Sequence, residues 1–170
     1  MAIEQPSYTI LTKDDAIEVR QYPVIIVAVA QENDLRGYSG FSRVFEYISG
    51  DNAKREKIAM TSPVINTLDE RAMTTAFVMP KAYDLSTLPQ PQSGRLALVE
   101  KPSRLVAAIR FSGNINARII AQKAEELKAW IANHGYEVLG NLELARYNPP
   151  FIPGFLKRNE VWLEVTSTHS

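Results

Sequence analysis

Cysteine is absent from all 170 residues, so the chain forms no disulfide, offers no thiolate to a metal and has no cysteine nucleophile. Histidine occurs twice, at His134 and His169, too few for a three-histidine metal centre within one chain. Net charge is also missing. Nineteen Lys and Arg balance nineteen Asp and Glu, so no overall field draws the protein to nucleic acid or to an anionic membrane, and neither is expected as a partner. No apolar run approaches the roughly 18 residues of a membrane-spanning helix. The longest, "PVIIVAVA" at residues 23–30, is the size of a strand. The opening fifteen residues lack a basic segment followed by an apolar one, so no secretory signal is expected and the cytoplasm is the expected compartment.

What remains is ordinary in composition, 45% hydrophobic and 22% charged, and the length suits one domain spanning residues 1–170. "SYTILTKDDAIEVRQY" reads as two alternating runs around Lys13, Asp14 and Asp15, a hairpin pattern. "VIIVAVA" is continuous and β-branched, as a strand covered on both faces should be. The period then changes. Phe41, Val44, Phe45 and Ile48 share one face of a helix, with Ser39 expected as its cap and Gly50 as its left-handed end. Strands are expected at "KIAMTSPVI" and "MTTAFVMP", and a long proline-rich loop over residues 80–94. "GRLALVEKP" and "SRLVAAIRF" read as further strands. Residues 116–134 give the longest helix, capped by Asn116, ended by Gly135, with Ile120, Ala124, Leu127 and Ile131 inward. "NLELARYNPP" and "NEVWLEV" close the series.

The two halves match in order and type: strand, helix, strand, strand, twice. Neither half covers its own sheet with one helix. The expected fold is therefore α+β, a tandem βαββ repeat packed as one mostly antiparallel sheet or distorted barrel with two flanking helices.

Candidate chemistry is sparse. Thr61 and Ser62 precede Pro63, which cannot donate to a ladder; without an adjacent base the hydroxyls are expected to serve backbone groups. Met60 and Met79 carry thioethers, which more often fill cores than bind iron. His134 falls in the last helical turn, where an imidazolium favours the helix end. Asp51, Glu56 and Glu160 are the carboxylates that a hydrolytic reading would use, although no spacing joins them. Trp162 faces away from Val161 and Leu163, either into the core or into a cleft.

Two stretches, "GFSRVFEYISGDNAKREKIAMTSPV" and "YNPPFIPGFLKRNEVWLEV", with the opening "YTILTKDDAIEVRQYP", resemble the SOUL haem-binding protein family over about residues 7–166. That resemblance implies a distorted α/β barrel, similar in architecture to bacterial GyrI-like domains, and a non-catalytic carrier or buffer of haem or a related tetrapyrrole. It implies an apolar groove along the first helix with basic residues for the propionates, here Arg36 and Arg43. No histidine lies between Ala30 and Gly50, so haem is expected without a histidine ligand. The groove is expected on the helix face of Tyr38, Arg43 and Tyr47, with Phe151 and Phe155 of the proline-stiffened loop as a wall. No metal-binding or catalytic side chain is expected. The competing reading is a GyrI-like small-molecule binder or a hydrolase of a hydrophobic substrate in the same cleft.

Overall fold

The computed structural model describes residues 3–33, 38–69, 72–148 and 153–168, with Tyr38 described by its backbone alone. The chain runs β1 (Thr9–Asp14), β2 (Ile17–Tyr22), β3 (Ile25–Glu32), α1 (Tyr38–Ile48), β4 (Val64–Leu68), β5 (Met73–Val78), β6 (Leu96–Lys101) and β7 (Arg104–Phe111). There follow α2 (Ala117–Asn133), β8 (Tyr136–Val138), β9 (Leu142–Arg146) and β10 (Asn159–Ser167). All ten strands join one antiparallel sheet in the order β1-β2-β7-β10-β9-β4-β5-β3-β6, with β8 beside the end of β10. The sheet does not close into a barrel: β1 and β6 are its two edges.

The repeat is visible in this order. β7-β10-β9 of the second half meets β4-β5-β3 of the first at the β9–β4 junction. The strand before each half crosses over to the other: β2 pairs with β7, and β6 pairs with β3. The repeating unit is thus one strand longer than the sequence pattern suggests, and its first strands are exchanged.

Side chains alternate between two faces. On one, α2 lays Ile120, Ala124, Leu127 and Ile131 over Val19, Ala107, Ile109, Leu144 and Leu163. On the same face α1 lays Val44, Tyr47 and Ile48 over Ala28, Ala30 and Phe77. The residues between these point the other way. Tyr22, Val27, Ile65, Ala76, Val106, Ala145 and Trp162 pack on one another with no helix above them, which requires the sheet to curl around that face. Packing on both faces accounts for the unbroken apolar run at residues 25–30.

The longer helix forms where its periodicity predicts. Asn116 Oδ1 accepts from the Ile119 amide at 2.9 Å, and Gly135 follows at φ 78°. Strand formation in "KIAMTSPVI" starts only at Val64. Residues 57–60 and 62–63 form no ladder, Thr61 makes an isolated bridge to Glu4, and the Ser62–Pro63 peptide is cis. The Thr61 hydroxyl donates to the Val78 carbonyl, a structural role of the expected kind.

Candidate functional site

The position of α1 is set at Gly40. A Cβ there would lie 2.8 Å from the Gln31 carbonyl oxygen and 2.9 Å from both Glu32 Oε2 and Thr75 Cβ, so only glycine lets the helix approach β3 and β5 this closely. Ser39 is not the cap. The Glu32 carboxylate reaches across from β3 and accepts from the backbone amides of Asn33, Ser39 and Gly40 and from the hydroxyls of Ser39 and Thr75. Burial alone would raise the pKa of Glu32; these hydrogen bonds, Ser39 and Thr75 first, bring it below its ordinary value. Asn66 bonds onward to Thr75, and Arg146 Nε donates to Asn66 Oδ1 at 2.8 Å.

Contact at Gly40 turns the helix. The buried arc is Gly40, Val44, Tyr47 and Ile48, not Phe41, Val44, Phe45 and Ile48. Tyr47, expected on an outer groove face, is 2% exposed and donates its hydroxyl to the Pro89 carbonyl at 2.6 Å. Burial, with Tyr83 and Glu56 adding, pushes that hydroxyl up to about 12. Phe45, expected in the core, is 47% exposed. Its ring stacks on Phe41, centroids 5.9 Å apart and planes 11° apart, and Phe41 meets Phe77 at 5.1 Å. Met60 and Val64 pack against the same cluster. The outward flank of α1 is therefore an aromatic plate. Arg43, two residues from each phenylalanine and half-buried, stands on the opposite flank.

Other expected residues scatter. Arg36 and Phe151 lie outside the described residues, as does the Tyr38 side chain. Phe155 sits on a 3₁₀ turn, Gly154–Leu156, and is 78% exposed. That turn bonds to the loop after β7, and the β7 and β4 ends are three strand-steps apart, about 14 Å at the usual spacing. Met79 is core. His134 caps the C-terminus of α2, stacked on Trp130 at 4.0 Å and 3.9 Å from Asp14, over the half of the sheet away from α1.

Asn52 ties down the turn after α1. It is fully buried, donates to the Tyr47 and Glu56 carbonyls, and accepts from the Lys54 and Glu56 amides.

The helix-free face holds what the sequence pattern missed. Glu160 is fully buried and has five donors. Arg20 forms a bidentate pair with it at 2.7 and 2.8 Å, Trp162 Nε1 donates at 2.9 Å, and the Tyr147 hydroxyl and Arg158 each donate at 3.0 Å. Burial would raise its pKa; the Arg20 bonds and charge outweigh that, with Trp162 and Arg158 adding, and bring it to about 2. The Tyr22 hydroxyl beside it is pushed up to about 12, chiefly by burial. Arg20 also lies over the Tyr8 ring, and Arg158 over Tyr147 at 4.0 Å. On the other side of Trp162, Arg104 forms a second bidentate pair with buried Glu143 at 2.7 and 2.9 Å. The one available signal was parity: Glu18, Arg20 and Tyr22 share a face of β2, as Glu160, Trp162 and Glu164 do of β10.

No group of three or more metal-ligating side chains stands together among the described residues, and no helix of the described chain is long and apolar enough to cross a membrane.

Solved structures share this architecture. The C-terminal domain of EcmrR superposes with a TM-score of 0.68 at 10% identity, over 94% of this chain and 98% of that one. A hydrolase from Listeria innocua gives 0.64 at 10% identity, over 92% and 94%. At this identity the likeness is one of fold. No curated protein sequence matches the chain. The family model described as SOUL heme-binding protein matches residues 3–164, nearly the whole length and every element of both repeats. The chain belongs to the SOUL heme-binding protein family.

Proposed function

We propose that the protein binds haem or a related tetrapyrrole as a carrier or buffer, with the ring lying on the Phe41–Phe45 plate of α1. The observation that carries the reading is that stacked pair, half-exposed on the helix flank in a member of this family. A tetrapyrrole needs a flat apolar surface and cations for its carboxylates. The plate, with Met60 and Val64 beside it, supplies the first. Arg36, two residues before α1 in the sequence, is our assignment for the second. Tyr47, in the core, leaves the set, as do Arg43 on the far flank and Phe155 on its distant turn. Bound haem would contribute its iron; the residues at the plate include no histidine to ligate it, so the protein's share is to hold the ring and exclude water from one face.

A hydrolase of a hydrophobic substrate would need a carboxylate such as Glu56 or Glu160 as its base. Glu160 is ionised and occupied by five donors, which leaves it poorly placed to move a proton. Glu56 accepts from the Tyr83 hydroxyl at 3.3 Å, a contact that joins the turn after α1 to the loop after β5.

Hemin titration of tag-free protein, followed in the Soret band, tests the proposal. Saturable binding is expected, weakened at least tenfold in Phe45→Glu and unchanged in His134→Ala. Phe45→Glu binding as tightly as the parent, or loss in His134→Ala alone, would move the ligand off α1.

A further inference from the structure

The turn before β10 carries exposed apolar chemistry that tetrapyrrole binding does not use. Phe155 and Leu156 are 78% and 61% exposed, more than any other large apolar side chain described. The turn that carries them is bonded at several points. The Gly113 amide donates to the Gly154 carbonyl at 2.8 Å, Leu156 to Pro153 at 2.9 Å and Lys157 to Gly154 at 3.0 Å. Gly154 is packed so closely that a Cβ would come 2.9 Å from Asn114 Oδ1. These contacts tie the turn's backbone to the loop after β7, and the two side chains project outward from it.

Two cations lie close to this tip along the chain. Lys157 follows directly, and Arg118 stands in the first turn of α2, four residues beyond Asn114. Neither has an ion-pair partner among the described residues, whereas Arg158 is turned inward onto Glu160.

We propose that the Phe155–Leu156 tip docks on a lipid surface with anionic headgroups. An aromatic and an aliphatic side chain enter the boundary between headgroups and acyl chains, and Lys157 and Arg118 meet the lipid phosphates. Two protruding side chains offer too little area for a stable protein interface, which buries roughly 800 Å² per partner. They suit a fluid surface that closes around them. A zero net charge excludes only a long-range field; the attraction here acts within a Debye length of the tip. Attachment through two side chains and two cations is reversible.

Vesicle flotation of the full-length protein tests this with phosphatidylcholine alone and with phosphatidylserine added. Binding to the anionic vesicles is expected, and most of it is lost in about 1 M salt, where charges are screened beyond roughly 3 Å. Phe155→Ser with Leu156→Ser should lower it at least tenfold. Lys157→Glu should remove the preference for phosphatidylserine. Hemin titration should be unchanged in both variants, which separates this docking from the tetrapyrrole site. Equal flotation with and without phosphatidylserine would overturn the proposal. So would a double variant that floats like the parent, or displacement by inorganic phosphate, which would mark a simple phosphate site. Should the double variant misfold, Lys157→Glu decides alone.

Discussion

Taking a carboxylate out of water costs several kcal/mol unless its lone pairs are filled and its charge is met, and Glu160 is fully buried with both conditions satisfied. Its pKa of about 2 lies below the value near 4.3 of an unfolded glutamate. A depressed pKa contributes stability that is present above the unfolded value and lost as pH falls through the folded one. The window is therefore pH 4.3 down to 2, and the difference amounts to about 3 kcal/mol. Glu160→Gln should cost about 3–5 kcal/mol at neutral pH, because Arg20 remains buried, and Arg158 half-buried, around a neutral group. The variant's stability should then fall less than the parent's between pH 4.3 and 2. Urea unfolding at four or five pH values measures both. A variant as stable as the parent at pH 7 would mean that Glu18, already paired with Arg20 at 2.8 Å, meets its charge without Glu160. This network was not legible in sequence. Arg20 and Glu160 are 140 residues apart, and a charged residue in an alternating strand looks the same whether it faces water or a buried partner.

A helix's apolar stripe shows that it packs, but leaves its rotation open to within about one residue's turn. For α2 the rotation was legible, because Ile120, Ala124, Leu127 and Ile131 form one stripe with charged residues on the opposite side. For α1 two arcs were available, one through the phenylalanines and one through Gly40 and Tyr47. Two long-range facts decide between them. Gly40 has no side chain to keep the helix off Gln31 and Thr75, and the Tyr47 hydroxyl finds the Pro89 carbonyl 42 residues away. Neither fact has a local sequence signal, so the same segment gave the right helix and the wrong exposed face. Its cap was missed for a similar reason: Glu32 lies on a strand and serves a helix that begins six residues later. Gly40→Ala should destabilise the fold by about 1–3 kcal/mol, because the Gln31 carbonyl and Thr75 Cβ cannot swing aside for the added methyl. Phe45→Ala, at a half-exposed position, should change stability by less than about 0.5 kcal/mol. Thermal unfolding of the two variants compares the arcs directly, and the opposite ranking would restore the phenylalanine face to the core.

Across the whole molecule, the repeat was readable from order alone, whereas the exchange of its first strands was not, since nothing in "IEVRQY" or "LALVEK" names a partner strand. That exchange makes the halves interdependent. The first half contributes β2 to β7, and the second contributes β6 to β3, while β4 and β9 join them through the middle. A cut after Gln92 would keep the loop that holds Tyr47 and Asn52 with the first half, through the bridge of Asn52 to Pro91 and the Gln92 bond to the Asn52 carbonyl. Even so, the fragment 1–92 would leave β2, β3 and β4 each without one neighbour, and 93–170 would do the same to β6, β7 and β9. The apolar face of Val27, Ile65, Val106 and Trp162 draws on both halves and would be opened in each fragment. Neither fragment should unfold cooperatively alone, since small domains lose most when their core is divided. Mixed in equal amounts, they should recover the parent's sheet signal by circular dichroism and elute as one species. Cooperative unfolding of either fragment by itself would show that one helix over a half-sheet is enough, and that the exchanged strands fasten together two units already formed.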